Sequence, residues 1–227
     1  EITILMVLYD ETEEIILKNL EKIKNFKIII VDNKGDAKLK ERITQKFKIS
    51  TYYLSNKNLG FSKGFNKALN FCKTKYAFIK NADCCIDEDN IIKLYDYIKN
   101  NQECGIVSPT SYDENDNLSY NSGKLPENES SNEILQVKGD VCVEKVLGSS
   151  MFVKMEDLEK IGMFNENFFI FFSDFELCKK IRSLNKHVVQ IYNSKCIHVH
   201  GISKVKNKFY KIYLRELYFT LYELVYF

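Results

Sequence analysis

Strand-length apolar runs alternate with helix-length amphipathic segments across the first hundred residues, and this alternation constrains the fold more than any other feature. Residues 2–8, 27–31, 51–54 and 76–79 read as strands, while 11–23, 37–47, 60–72 and 89–99 read as helices. In the first helix Ile15, Ile16, Leu20 and Ile23 fall near one face. Strands joined through helices of this length predict parallel β-α-β units with helices on both faces of one sheet. Ligands of such sheets bind beyond the carboxyl ends of the strands. The residues at those ends are Tyr9-Asp10, Asp32-Asn33 and Asn81-Ala82-Asp83.

The second half is less regular. A strand at 104–107 precedes residues 110–132, which are rich in Asn, Asp, Glu and Ser and read as a long surface excursion. Strand character returns at 141–154, followed by a short helix at 156–161. The aromatic run Phe168 to Phe172 leads into a helix at 174–184, and short strands follow at 188–191 and 195–199. Residues 204–227 have helical length, with Lys206, Lys208, Lys211 and Arg215 in the first half. Phe209, Ile212, Tyr213, Leu217, Leu221 and Leu224 make an apolar stripe there. That stripe predicts a helix packed on the core or a partner, or one docked on a membrane surface. The organisation read from the chain is one α/β domain over residues 1–203 with a helical extension over 204–227.

Charge and cysteine usage remove several classes. With 33 basic and 31 acidic residues, a net charge of +2 offers no electrostatic case for nucleic-acid binding. The 7 cysteines include no C-x-x-C pair, which argues against a structural zinc site and a disulfide framework and for reduced thiols in a cytosolic setting. No signal peptide and no run of 18 apolar residues is visible. No G-x-G-x-x-G follows a strand, so a dinucleotide oxidoreductase is disfavoured.

Several residues have chemistry to offer at the strand ends. Asp32, closing a buried strand, can accept hydrogen bonds from a base or ribose, although Asp-Asn-Lys-Gly is also an ordinary turn. The stretch from Asn58 to Asn66 joins a strand to a helix. Its Gly60 and Gly64 allow close backbone approach, and the helix start and Lys63 favour an anion. Asp83 can bind a hard divalent cation, with Asn81 as a weaker carbonyl ligand or hydrogen-bonding partner; a capped turn is the plainer reading. Asp174 directly follows the aromatic run, where desolvation raises a carboxyl pKa and suits it to general-base work; it can equally cap the helix, and Glu176 is its rival. His198 and His200, two apart on a strand, share a side and can meet a metal or a diphosphate.

Taken in order, these segments resemble family-2 glycosyltransferases of the GT-A fold, especially the branch of bacterial rhamnosyltransferases. The likeness lies in Tyr9-Asp10, Val31-Asp32-Asn33, Asn58-x-Gly60-Phe61 through Asn66, and Asn81-Ala82-Asp83. It continues through Phe164-Asn165-Glu166-x-Phe168-Phe169, Ser173-Asp174 and His198-x-x-Gly201-x-Ser203. The resemblance implies an inverting transferase that moves a sugar from a nucleoside-diphosphate sugar to a glycan or lipid-linked acceptor, in bacterial surface polysaccharide or glycolipid assembly. It implies that Asp32 contacts the base, with Tyr9 and Asp10 nearby, and that Asn58, Gly60 and Asn66 line the donor pocket. Asp83 would hold Mn²⁺ or Mg²⁺, His198 would lie near that metal or the departing diphosphate, and Asp174 would be the base. A cytoplasmic location, with peripheral contact at the inner face of the membrane, fits this reading. Three positions depart from the family pattern: Asn81 replaces the first acidic residue of Asp-x-Asp, Ser173 replaces a Glu, and Arg215-Glu216 stands where Arg-Asn is common. They keep open a non-catalytic sugar-nucleotide-binding scaffold. A nucleotidyltransferase is disfavoured, because Tyr9-Asp10-Glu11-Thr12 stands where those enzymes carry a glycine- and Arg-rich loop.

Overall fold

The computed structural model describes residues 1–128, 138–199 and 208–227. In chain order the first half is β1 (Ile2–Leu8), α1 (Glu13–Glu21), β2 (Lys27–Asp32), α2 (Ala37–Lys46), β3 (Thr51–Leu54), α3 (Gly60–Phe71), β4 (Tyr76–Asn81), β5 (Cys84–Cys85) and α4 (Glu88–Asn100). The second half is β6 (Cys104–Tyr112), β7 (Ser122–Gly123), β8 (Val141–Val143), β9 (Lys145–Val146), β10 (Ser150–Lys154), α5 (Met155–Lys160), α6 (Ser173–Ser183), β11 (His187–His198) and α7 (Lys208–Tyr226).

The main sheet runs β3-β2-β1-β4-β10-β6-β11-β5, with β8 also on β11. Its first four strands are parallel, and β10 enters antiparallel between β4 and β6. The expected α/β architecture is therefore present. Alternation along β1 explains the two cores. Ile4, Met6 and Leu8 point to a cluster completed by Ile16 and Leu20 of α1, Ile43 of α2, and Ile91 and Leu94 of α4. Leu5 points the other way, to Phe65 and Leu69 of α3, Leu158 of α5 and Leu177 of α6. Thr12, Asp36 and Asp87 cap α1, α2 and α4 by accepting backbone N–H bonds at 3.4, 2.9 and 2.9 Å.

The second half corrects three expectations. The strand character expected over 141–154 is divided into three strands, broken at Glu144 and again at Leu147 to Ser149. The two short strands expected at 188–191 and 195–199 are one strand, β11, with a register shift between Ile191 and Lys195. The polar stretch 110–132 is only partly a surface excursion. Thr110 to Tyr112 extend β6, and Asn121 is buried, donating to Ser108 Oγ at 2.8 Å and to the Pro109 carbonyl at 2.9 Å. Ser122 donates to the Gln190 side chain, and Gln190 to Thr110 Oγ1 at 3.2 Å. Polar composition marks this segment as a loop by pattern, yet internal hydrogen bonds let it be buried. Its end, 129–132, lies outside the described residues.

The C-terminal helix packs on a different face from the one its aliphatic stripe predicts. Phe209, Ile212, Tyr213, Leu217, Leu221 and Leu224 are all exposed. The seated residues are Tyr218, Phe219, Tyr222 and Tyr226, whose rings meet Phe168, Phe169, Phe171 and Phe172 at centroid distances of 4.9 to 5.9 Å. Ring-on-ring contact with the aromatic run sets the orientation of the helix and leaves the stripe to solvent.

Candidate active site

Beyond the C-terminal ends of β1, β2 and β4 the chain gathers most of the residues singled out above. Parallel pairing sets Leu8 beside Asp32 and Val7 beside Asn81. Tyr9 is exposed and its backbone N–H donates to Glu11 Oε2 at 2.8 Å, folding Glu11 back over the strand ends. Asp10 pairs with Lys34 Nζ at 2.8 Å. Burial raises the Glu11 pKa, and the charges of Asp83 and Asp10 add to the shift. Glu11 was not among the sequence candidates; a carboxylate after Tyr9-Asp10 was visible, but its return to the sheet edge was not.

Asp32 is buried, and its carboxylate is committed to its own turn. It accepts from the backbone N–H of Lys34 and Gly35, both at 2.9 Å, from Asp36 N at 3.2 Å, and from Tyr52 Oη at 3.1 Å. Burial and this carboxylate push the Tyr52 phenol up. The turn reading of Asp-Asn-Lys-Gly thus has a structural basis.

The stretch 58–66 is a packed joint. Gly60 has φ +72, and an added Cβ would lie 2.3 Å from the Phe169 carbonyl oxygen, so only glycine fits. Asn58 accepts from Gly60 N at 2.9 Å, and Phe61 N donates to the Phe169 carbonyl at 2.6 Å. These two amides of the α3 start are therefore used inside the protein, while the Lys63 side chain is exposed. Asn66, expected to line a ligand pocket, brackets Phe164. It donates to the Phe164 carbonyl at 2.9 Å and to Glu166 Oε1 at 3.1 Å, and accepts from Phe164 N at 3.1 Å.

Asp83 and His198 are brought together by β5, where Cys84 pairs with His198 and Cys85 with Ile197. Asp83 Oδ1 lies 3.3 Å from His198 Nε2 and takes no aligned hydrogen bond. The Asp83 carbonyl accepts from Val199 N at 3.2 Å. Asn81, on the same rim, donates its backbone N–H to the Ser149 carbonyl at 3.0 Å. His200, with Gly201 and Ser203, lies outside the described residues. Among the described residues no three metal-binding side chains cluster. A divalent cation here would be held by Asp83, with His198 beside it, and would take its remaining ligands from phosphate and water oxygens, as Mg²⁺ commonly does. The buried Asp83 oxygen without an aligned donor fits that role.

Asp174 lies in the first turn of α6 and does not cap it. The residue before the helix is Phe172, held at φ 64, a left-handed conformation uncommon for a bulky residue. Asp174 Oδ2 accepts from Gly148 N at 2.8 Å, and Oδ1 from Phe175 N at 3.1 Å. Burial raises its pKa, against the pull of these N–H groups and of Lys145. Glu176, its rival, is ion-paired with Lys180 at 2.8 Å. Gly148 also escaped sequence reading. A Cβ there would meet the Phe61 ring at 2.4 Å, so one glycine joins the α3 turn to Asp174.

This fold is that of the GT-A glycosyltransferases. GalNAc-T7, solved with UDP, GalNAc and Mn²⁺, superposes with a TM-score of 0.70 at 12% identity over 88% of this chain and 44% of its own. A Pyrobaculum calidifontis mannosyltransferase, solved with GDP-Man and Mn²⁺, superposes at 0.64 with 13% identity over 88% of this chain and 57% of its own. Residues 3–162 match the model for glycosyl transferase family 2, and the chain belongs to that family. An uncharacterized glycosyltransferase of Methanocaldococcus jannaschii is 30% identical over 52% of this chain and 44% of its own, so the chain spans less than half of that relative. A low-salt glycan biosynthesis hexosyltransferase of Haloferax volcanii is 25% identical over 94% of this chain and 72% of its own. A rhamnosyltransferase of Escherichia coli is 24% identical over 74% and 72%.

Proposed function

We propose that the chain transfers a sugar with inversion from a nucleoside-diphosphate sugar to a hydroxyl of a glycan or lipid-linked acceptor in cell-surface glycan assembly. The observation that carries this reading is Asp174, half-buried behind the aromatic run and held by Gly148 N and Phe175 N. Its raised pKa suits a general base. In the reaction Asp174 takes the acceptor hydroxyl proton as that oxygen attacks the anomeric carbon. The bond from that carbon to the diphosphate breaks, and the nucleoside diphosphate leaves through an oxocarbenium-like transition state. Asp83 and His198 are the residues that would hold a divalent cation. A bound cation would neutralise charge on the leaving group. Tyr9, Asp10, Asp32, Asn58, Gly60, Lys63, Asn66 and Asn81 are assigned to the donor side: Tyr9 and Lys63 as exposed groups able to reach it, Asp32, Asn58 and Asn66 as the residues that shape its walls.

The deciding measurement is a binding and hydrolysis screen of UDP-, dTDP- and GDP-sugars with Mn²⁺, Mg²⁺ or EDTA. One sugar nucleotide should bind and release its nucleoside diphosphate only with metal. Binding without release, in any combination, would favour the scaffold reading; no binding by folded protein would end both.

The same proposal includes peripheral membrane contact through α7. No described helix is long and apolar enough to cross a membrane. Yet Phe209, Tyr213, Leu221, Leu224 and Val225 stand exposed on a helix already seated by its other face. Flotation with vesicles containing anionic lipid should carry the protein upward, and Leu221→Glu with Leu224→Glu should abolish this. Equal flotation of both proteins would remove α7 from the reading.

A further inference from the structure

The aromatic run that leads to the base is seated on α7 at the residue where its backbone is least relaxed. Phe172 is buried and stands at φ 64, two residues before Asp174. A bulky side chain persists in the left-handed region only where its surroundings over-determine it. Among the described residues three rings pack on Phe172, and two of them belong to α7: Phe219 at 4.9 Å and Tyr226 at 5.5 Å between centroids. The third is Phe175 of α6, at 5.6 Å, whose N–H is bonded to Asp174 Oδ1.

A second tie joins the end of α7 to α6, the helix that carries the base. Tyr226 Oη donates to Glu127 Oε2 at 3.0 Å, and Glu127 Oε1 is paired with Lys179 Nζ of α6 at 3.0 Å. The same ammonium lies 4.9 Å from the centroid of the Tyr226 ring. Within the turn itself the Phe172 carbonyl accepts from Glu176 N at 2.9 Å, so the direction of that peptide sets the first turn of α6. Asp174 stands inside that turn. A shift at Phe172 is therefore a shift of the Asp174 backbone, whereas Gly148 N holds only the carboxylate end.

We propose that Phe219 is a positioning residue for the base: its ring, with that of Tyr226, holds Phe172 in the left-handed turn that aims Asp174. The C-terminal helix then serves proton transfer as well as docking. The inference rests on the assignment of Asp174 as base. Reacting groups tolerate little displacement: a misplacement of about 1 Å, caused from outside the chemistry, can slow a reaction ~100-fold. Phe219 is 43% exposed, and Tyr218 and Tyr222 seat α7 separately on Phe169 and Phe168. Its ring can therefore be removed without unseating the helix.

The test is a mutant cycle read as nucleoside diphosphate release, with water as acceptor, from the sugar nucleotide that the donor screen selects. Phe219→Ala should lower kcat by roughly 10–100-fold and leave the donor KM close to wild type. Phe219→Tyr keeps the ring and should keep the rate, and so should Thr220→Ala at the exposed neighbouring position. In an Asp174→Asn background Phe219→Ala should cost nothing further, because groups acting as a unit are non-additive. If Phe219→Ala does not fold, Phe219→Leu keeps much of the apolar volume, lacks the ring and carries the same expectation. A folded ringless variant with wild-type kcat overturns the proposal. So does one that loses as much again in the Asp174→Asn background, since that loss would be structural. If Asp174→Asn itself keeps its turnover, the base assignment fails first and the role of Phe219 falls with it.

Discussion

Asp174→Asn is expected to lower kcat for transfer by about 10²–10⁴-fold, the range that a general base contributes. The donor should still bind with near-wild-type affinity. The carboxylate accepts from Gly148 N and Phe175 N. An asparagine keeps the size and one acceptor, but it cannot take the acceptor's proton. Because burial lifts the Asp174 pKa, the wild-type enzyme should lose activity on acidification at a pH above the usual carboxylate range, as the base becomes protonated. That acid limb should vanish from the residual activity of the variant. Rapid-quench turnover and calorimetric donor titration, run on both proteins, separate the two effects. Near-normal turnover in Asp174→Asn would move the base elsewhere. Glu176 would then be tested first, although its ion pair with Lys180 opposes that role.

What the sequence revealed followed from periodicity and strand ends. The parallel half of the sheet could be read because each apolar run is bounded by a helix whose stripe matches one core face, as with Ile16 and Leu20. Thr51–Leu54 and the start of α3 at Gly60 were predicted to the residue. The antiparallel half resisted because its strands are short and its loops carry buried polar side chains. Asn121 and Ser122 look like solvent-facing residues until their partners on β6 and β11 are known. The helix from Lys208 was legible as a helix but not in its facing, because its aromatic partners lie some fifty residues earlier.

The site divides the same way. Asp83, Asp32 and Asp174 each follow a recognisable run, so they could be named from the chain alone. Their surroundings could not. The pairing of Asp83 with His198 depends on a two-residue strand, and the joint from Gly60 through Phe169 to Tyr218 depends on contacts across more than 150 residues. Gly148 sits in a segment whose sequence signal is strand character, which says nothing of the turn that carries it to Asp174.

The second large effect is expected at Asp83. Asp83→Asn keeps the side-chain volume and removes the one formal carboxylate charge of the Asn81-Ala82-Asp83 segment. Asn81 cannot replace it, since an amide oxygen is a weaker ligand for a hard cation than a carboxylate. His198 cannot replace it either, because imidazole is better suited to softer metals than to Mg²⁺. Metal-dependent donor binding should therefore fall by on the order of 100-fold, while any metal-independent binding through the base side of the donor survives. The decisive comparison is donor titration in Mn²⁺ and in EDTA for wild type, Asp83→Asn, His198→Gln and the double variant. In wild type the two titrations should differ widely; in Asp83→Asn they should converge. If Asp83 and His198 hold the cation together, the double variant should lose little more than Asp83→Asn alone, because groups acting as a unit are non-additive. A folded Asp83→Asn protein that retains the full gap between Mn²⁺ and EDTA would mean that the cation, and with it the diphosphate, sits away from this strand end.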